Sequence, residues 1–360
     1  MIPHRTVPFR TSPFSLVADE ASSACWAGHR AVLTQLHKLC RVWANRSDSS
    51  LDVMWANLGA GKTHALFHLR HLLFTGFQTN PPAIVAYGEV PEHLKHFIEL
   101  YRPLVTTLPI KEIAELGLKH GKGAMSASVG RACRALAFGN ENEQRLARDW
   151  IIGARPGLRE LKSVTGIDSR IETDVDAEGI LTEIVHLAAS GGRRVVILLD
   201  EFQRVGHLGQ RTREALLSHI RALFSHNSSY FSMVLAVGSR MEKTAIEILS
   251  AELRTIMGMR PAISLPEMNK EEAEEFVLQR FAWYRPEGYT GAPEYPFTLE
   301  DIKYVIAYLV DSAKVRLIPR TLLQVFGIIY DELLGTKDAH LTNDHLKSVL
   351  DSLRWDDTRT

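Results

Sequence analysis

The stretch that decides the fold is Leu51–Leu66, LDVMWANLGAGKTHAL. Val53 to Trp55 reads as a short buried strand and Lys62 to Phe74 as a helix, with Gly59 and Gly61 just ahead of Lys62 and Thr63. Small residues in such a turn let backbone N–H groups curl around a phosphate, and the following helix N-terminus adds a favourable field. In that frame Lys62 would reach the β- and γ-phosphates of a nucleotide and Thr63 would hold Mg²⁺. The cradle would run through Asn57, Leu58, Gly59, Ala60, Gly61, Lys62, Thr63 and His64. Ala56 stands where the usual pattern carries its first glycine, and a methyl there is expected to cost something in turn geometry. The bland alternative is a glycine turn that binds nothing.

A second signal lies in Val195–Phe202, VVILLDEF, an apolar run suited to a strand buried on both faces. Carboxylates ending such a strand are costly unless they meet a cation or donors. Asp200 would order the Mg²⁺ shell and Glu201 would polarise the attacking water as the base. A salt-bridged strand end is the competing reading. Met233–Arg240, MVLAVGSR, is a further buried strand whose end opens onto the ligand edge of a parallel sheet. Ser239 would donate to the γ-phosphate or the water, or else merely cap the next helix; Gly238 and Arg240 are weaker candidates. Arg254 and Arg260 precede ISLPEM, and either would project toward a neighbouring subunit's nucleotide or form ordinary salt bridges. Arg320 follows Pro319, a good helix starter, so it sits on a first turn from which it would reach back to a phosphate. His64, His68 and His71 share one helix face but lack the acidic partner of a zinc-binding helix, so they read as packing or surface residues.

Composition sets the outer bounds. The 360 residues are 45% hydrophobic and 23% charged, enough for one large domain with a satellite, or for two domains. Lys plus Arg and Asp plus Glu number 42 each, so overall charge lends no support to nucleic-acid binding and leaves only a local basic surface. Cys25, Cys40 and Cys133 have no metal-ligand spacing and read as free thiols of a reducing compartment. No apolar run is long enough to cross a bilayer, so a soluble, cytoplasmic protein without membrane partners is expected.

Along the chain, residues 1–50 form an arm and an adenine-side segment, the first dozen residues ordering only on contact. Residues 51–268 form the α/β core, and 269–360 an all-helical end with helices over 270–284, 298–311, 319–334 and 343–355. Within the core, 109–140 is hard to read: Gly117, Gly121, Gly123 and Gly130 interrupt it, while Lys111, Lys119, Lys122, Arg131 and Arg134 make it basic. It is a candidate nucleic-acid-facing surface or a solvated, loop-rich insertion.

Taken in order with the helical end, ANLGAGKT, VVILLDEF, MVLAVGSR and IPRTLLQVF resemble an AAA+ P-loop ATPase of the origin-recognition-like branch. Ser12–Leu36 is similar to the N-terminal segment such proteins wrap near the adenine. The stretch from Leu146 to Ala188 resembles the segment preceding the acidic strand in ATPases of BREX defence systems, and the whole also looks like TniB- and TnsC-type transposition regulators. The resemblance implies an α/β core with a small helical lid, ATP and Mg²⁺ as cofactors, and a homo-oligomer. Lys62 and Thr63 become the Walker A pair, Asp200 and Glu201 the Walker B pair, Ser239 the sensor-1 residue, Arg320 the sensor-2 arginine, and Arg254 or Arg260 the finger acting in trans. Ala56, a serine at sensor 1 and the ambiguous finger depart from the family pattern. Only about 25 residues follow Leu334, too few for the winged-helix domain many initiators carry there. The expected function is an ATPase that assembles with protein effectors on DNA, directly or through a partner, in antiphage defence or mobile-element biology. The alternative is a slowly hydrolysing switch that recruits an effector nuclease or transposase. A signal-transducing NTPase of the STAND type is a weaker third, since no sensor repeats are visible. No N-K-x-D motif for guanine appears.

Overall fold

The computed structural model describes residues 9–18, 21–76, 82–121, 125–335 and 342–355. Residues 1–8 of the expected arm, and Lys122 and Gly123 of the basic stretch, lie outside the described residues. The chain forms two compact units, one of His37–Trp55 and Leu69–Ser264, the other of Met1–Leu36, Ala56–His68 and Leu265–Thr360.

In chain order the elements are α1 (Arg30–Asn45), β1 (Ser50–Ala56), α2 (Lys62–His71, continued by a π-helical turn to Gly76) and β2 (Ile84–Glu89). Six helices follow: α3 (Phe97–Thr106), α4 (Ile110–His120), α5 (Ala127–Phe138), α6 (Glu141–Ile151), α7 (Leu158–Thr165) and α8 (Asp174–Ser190). Then come β3 (Val195–Asp200), a 3₁₀ turn (Phe202–His207), α9 (Gln210–His226), β4 (Phe231–Gly238), α10 (Glu242–Glu247), α11 (Ala251–Met257) and β5 (Ile263–Leu265). The end is helical: α12 (Lys270–Tyr284), α13 (Leu299–Asp311), α14 (Pro319–Gly335) and α15 (Asn343–Ser352).

The strands make one five-stranded sheet in the order β2-β3-β4-β1-β5. β3 pairs in parallel with both neighbours, Glu89 lying opposite Asp200 and Leu199 opposite Leu235. All of β3 is buried, as a strand covered by helices on both faces must be. Because they run parallel, β3 and β4 deliver their last residues to one edge of the sheet, where α/β folds bind ligands.

The loop-rich reading of 109–140 is corrected. Most of this stretch is two helices, α4 and α5, with buried faces built from Ile110, Ile113 and Ala114 and from Val129, Ala132 and Cys133. Gly117 misled because it serves close approach rather than a turn. A Cβ on Gly117 would lie 2.5 Å from Leu187 Cδ2, so only glycine lets α4 lie this close to α8. Gly121 sits at the C-cap of α4 instead of inside a loop. Lys111, Lys119 and Arg134 remain exposed on the outer faces, while Arg131 pairs with Asp168 at 3.4 Å.

The helical unit has its own core, in which Phe281, Phe297 and Phe326 meet Ile302, Leu322 and Leu346. Capping boxes at Asn269/Glu272 and Thr298/Asp301 start α12 and α13 by satisfying orphan N–H groups. The described end of the N-terminal arm is ordered on these helices. The Phe9 ring lies 5.2 Å from Phe281, the Arg10 N–H donates to Tyr284 O at 2.8 Å, and the Arg280 guanidinium donates to Pro13 O at 2.9 Å. The three cysteines are free and buried, and burial pushes the Cys40 thiol up to about 12 and Cys133 to about 11. At neutral pH these are packing residues, not nucleophiles. No helix among the described residues is long and apolar enough to cross a membrane.

Candidate active site

The phosphate-loop residues belong to the unit that contains the helical end. β1 finishes at Ala56, which is fully buried. Among the described residues, non-glycine positive φ is confined to His29, Glu201, Tyr230 and Lys314, so Ala56 keeps ordinary strand backbone. The expected cost of its methyl in turn geometry is therefore absent: the position needs no glycine. The turn itself does. Gly59 and Gly61 have φ of +81° and +94°, a region that strains residues bearing a Cβ. The Ala60 N–H donates to Asn57 O at 3.3 Å, and the Ala65 N–H donates to Gly61 O at 2.9 Å as α2 begins at Lys62. Lys62 is buried, while Leu58 projects outward at 74% exposure.

Arg320 lies against this loop. Its N–H donates to Gly59 O at 3.3 Å, and a Cβ on Gly59 would lie 3.0 Å from Arg320 Cβ. The Arg320 side chain is exposed. Pro319 opens α14, so the helix start that the sequence assigned to it is where the structure has it. An added Cβ on Gly59 would thus crowd the start of α14, and a glycine turn leading into a helix N-terminus fits an anion. Gly59→Ala is expected to lose about 1–2 kcal/mol of stability from the left-handed backbone alone, read as a shift in the urea unfolding midpoint. An unchanged midpoint would mean that Gly59 does not adopt this turn.

Two histidines of α2 are bound to backbone, while His71 Nε2 lies 3.1 Å from the Thr75 hydroxyl. His64 Nε2 lies 2.7 Å from Cys25 O and His68 Nδ1 lies 2.7 Å from Ser23 O, with the Trp26 ring stacked on His64 at 6.1 Å. Segment 23–29 therefore rests on the first turns of the helix that follows the loop. His29, which sequence reading passed over, is 4% exposed at φ +42°, and neither of its ring nitrogens has a hydrogen-bond partner among the described residues. Burial holds its imidazole below the usual range against the opposing pull of Glu272, so it is neutral, one nitrogen a donor and the other an acceptor.

The acidic residues belong to the other unit. Asp200 closes β3 at 1% exposure; its Oδ1 accepts the Glu201 N–H at 2.8 Å, and its Oδ2 lies 3.5 Å from the Tyr87 hydroxyl. Burial and the carboxylates of Asp200 and Glu89 push the Tyr87 phenol up, so it stays protonated and donates. Glu201 is half-buried in left-handed backbone, φ 55°. Its Oε2 accepts from Gln203 Nε2 at 2.7 Å and lies 3.7 Å from Arg204 Nη2. Ser239 takes the local option: its hydroxyl donates to Met241 O at 2.9 Å and accepts the Met241 N–H at 3.2 Å, just ahead of α10. Arg254 is exposed on the last turn of α11. Arg260 instead reaches Asp52 on β1, with Nη1 at 3.2 Å from Oδ1. Burial pushes the Asp52 carboxyl up and Arg260 opposes this, so the arginine compensates a buried charge within its own unit. Tyr87, Gln203 and Arg204 were invisible in sequence as partners of the acidic pair, although Gln203 and Arg204 follow it at two and three residues.

No protein-family description matches the chain, and no curated protein matches it in sequence. Solved structures do share its fold. The Aeropyrum pernix ORC1 protein, solved in complex with DNA, aligns over 96% of this chain and 70% of its own with a TM-score of 0.55 and 14% identity. The Aeropyrum pernix ORC2 protein, solved as ADPNP–ADP complexes, aligns over 92% and 72% with a TM-score of 0.57 and 12% identity. The five-stranded parallel sheet flanked by helices, with a helical region after it, is the fold this chain shares with these two proteins.

Proposed function

We propose that this chain binds and hydrolyses ATP with Mg²⁺ and uses the nucleotide state to control its assembly on DNA with protein partners. The observation that carries the reading is the left-handed Gly59–Gly61 turn delivering Lys62 to the first position of α2. When bound, Mg·ATP supplies the phosphoanhydride bond and a cation that neutralises its charge. Lys62 and the loop N–H groups would bind the phosphates, and Thr63 and Asp200 would hold the metal. Glu201 would accept the proton of the attacking water. Ser239 would contribute its hydroxyl once released from Met241. Arg320, exposed on the first turn of α14, would supply positive charge for the transition state. Arg254 suits a finger in trans better than Arg260, whose guanidinium is spent on Asp52. One chain then lacks a full catalytic set, which supports a homo-oligomer. With equal numbers of acidic and basic residues overall, DNA binding falls to local groups such as Lys111, Lys119 and Arg134 on α4 and α5.

A second reading, the slowly hydrolysing switch, is favoured by the engagement of Glu201 with Gln203 and Arg204 and of Ser239 with Met241. The tie to effector nucleases or transposases, in antiphage defence or mobile-element biology, rests on the resemblance to BREX-type and transposition ATPases. Turnover of ATP by the purified chain, with and without duplex DNA, tests the function alongside its solution mass with a non-hydrolysable analogue. DNA-stimulated turnover by an oligomer is expected. A nucleotide-bound oligomer with negligible turnover selects the switch, and a monomer inert to ATP ends both.

A further inference from the structure

Gln203 is the side chain that joins the acidic pair to the neighbouring strand. It lies in the 3₁₀ turn after β3, and each end of its amide has a different partner. Oε1 accepts the Gly238 N–H at 2.6 Å, and Nε2 donates to Glu201 Oε2 at 2.7 Å. The two partners leave no ambiguity in the orientation of the amide, since an NH₂ group cannot face a backbone donor. Gly238 is the last residue of β4, and a Cβ there would lie 3.0 Å from Gln203 Cδ. A glycine at the strand end is what lets the amide lie flat against the backbone.

We propose that Gln203 is a positioning residue that couples the end of β4 to the Glu201 carboxylate. The inference rests on the ATPase reading and deepens it. Ser239 follows Gly238 directly, so any shift of that strand end when Ser239 changes partners moves the Gly238 N–H, and through the amide moves Glu201. Gln203 and Arg204 both approach Oε2 of Glu201, so Oε1 would be the oxygen that takes the proton of water. Ser239 thus influences hydrolysis through Gly238 and Gln203 even where its hydroxyl touches no phosphate. Asparagine is one methylene too short to span both partners. Leucine fills the space and removes both bonds. Glutamate keeps the acceptor for Gly238 but sets a second carboxylate beside Glu201.

The test compares full-length wild type with Gln203→Leu and Gln203→Glu, reading kcat, KM, the Kd of a fluorescent ATP analogue, and hydrogen exchange of the Gly238 amide. For Gln203→Leu, kcat is expected to fall about 10- to 100-fold, the scale set by misplacing a reacting group by about 1 Å. Kd should stay within about twofold, and Gly238 exchange should accelerate. For Gln203→Glu, which keeps the acceptor for Gly238 but loses the donor to Glu201, kcat should fall as in Gln203→Leu while Gly238 exchange stays near wild type. A residue that merely supported the fold would lower kcat, affinity and unfolding midpoint together, and that pattern overturns the proposal. So does an unchanged kcat or unchanged Gly238 exchange in Gln203→Leu while wild type turns over ATP. Wild type that neither binds nor hydrolyses ATP overturns the ATPase reading itself, and the role of Gln203 with it.

Discussion

Lys62→Ala is expected to weaken ATP binding by roughly 30- to 4,000-fold, equivalent to the about 2–5 kcal/mol lost when one partner of a buried, hydrogen-bonded charge pair is removed. The residue begins α2 and is 6% exposed, so the ammonium is held in the fold rather than borrowed from solvent. Two contributions survive its removal. The loop N–H groups would still face a bound phosphate, and the helix N-terminus would still favour an anion, but by only about 0.3–1 kcal/mol and up to ~2 kcal/mol in partly buried sites. The lysine term therefore dominates, and residual binding of low affinity is the outcome rather than none. Because the stem is buried, Lys62→Met serves as the companion variant: it fills the volume and removes only the charge. Both variants should lose affinity equally by calorimetric titration with Mg·ATP. Unaltered affinity in Lys62→Met would reduce the Gly59–Gly61 turn to a structural feature.

How much of this was legible in advance follows from how local each signal is. α12 begins and ends at the residues that hydrophobic periodicity indicated, because Asn269 and Glu272 form a capping box readable from four adjacent positions. β3 was legible because its apolar run is continuous and bounded by charge. By contrast, β1 extends from Ser50, where sequence reading began the strand at Val53. Ser50 and Asp52 look like loop residues until Trp43 of the preceding helix, and Ser232 and Arg260 from distant segments, are brought to them. α4 and α5 were hidden for the same reason: Gly117 makes sense only once Leu187 is placed against it. The short α7, α10 and α11 and the three-residue β5 carry too few periods of any pattern to register. At the candidate site the chemistry-bearing residue types were legible and their partners were not. Ser239 illustrates the limit, since a hydroxyl at a strand end fits a phosphate as well as the local turn to Met241 that it makes here.

Glu201→Gln separates the two functional readings and should have the largest kinetic effect of any single substitution. Removing a general base from water attack costs typically about 10²–10⁴-fold in rate, and glutamine keeps the length and shape of the side chain. Its surroundings also tolerate the change. Gln203 Nε2 donates to Oε2, and a glutamine can offer its carbonyl oxygen there. The substitution removes the ion pair with Arg204 at 3.7 Å, between side chains each about a quarter exposed, which is worth little in stability. Binding of ATP should therefore match wild type while turnover disappears into background, trapping the nucleotide-bound assembly. That trapped state is informative in itself. If assembly on DNA persists and the biological output is lost, the cycle must turn over, and the chain works as an ATPase. If the output survives in Glu201→Gln, nucleotide occupancy alone is sufficient and the switch reading holds. If turnover persists within about tenfold of wild type, Glu201 is not the base, and the left-handed backbone that presents it has another cause.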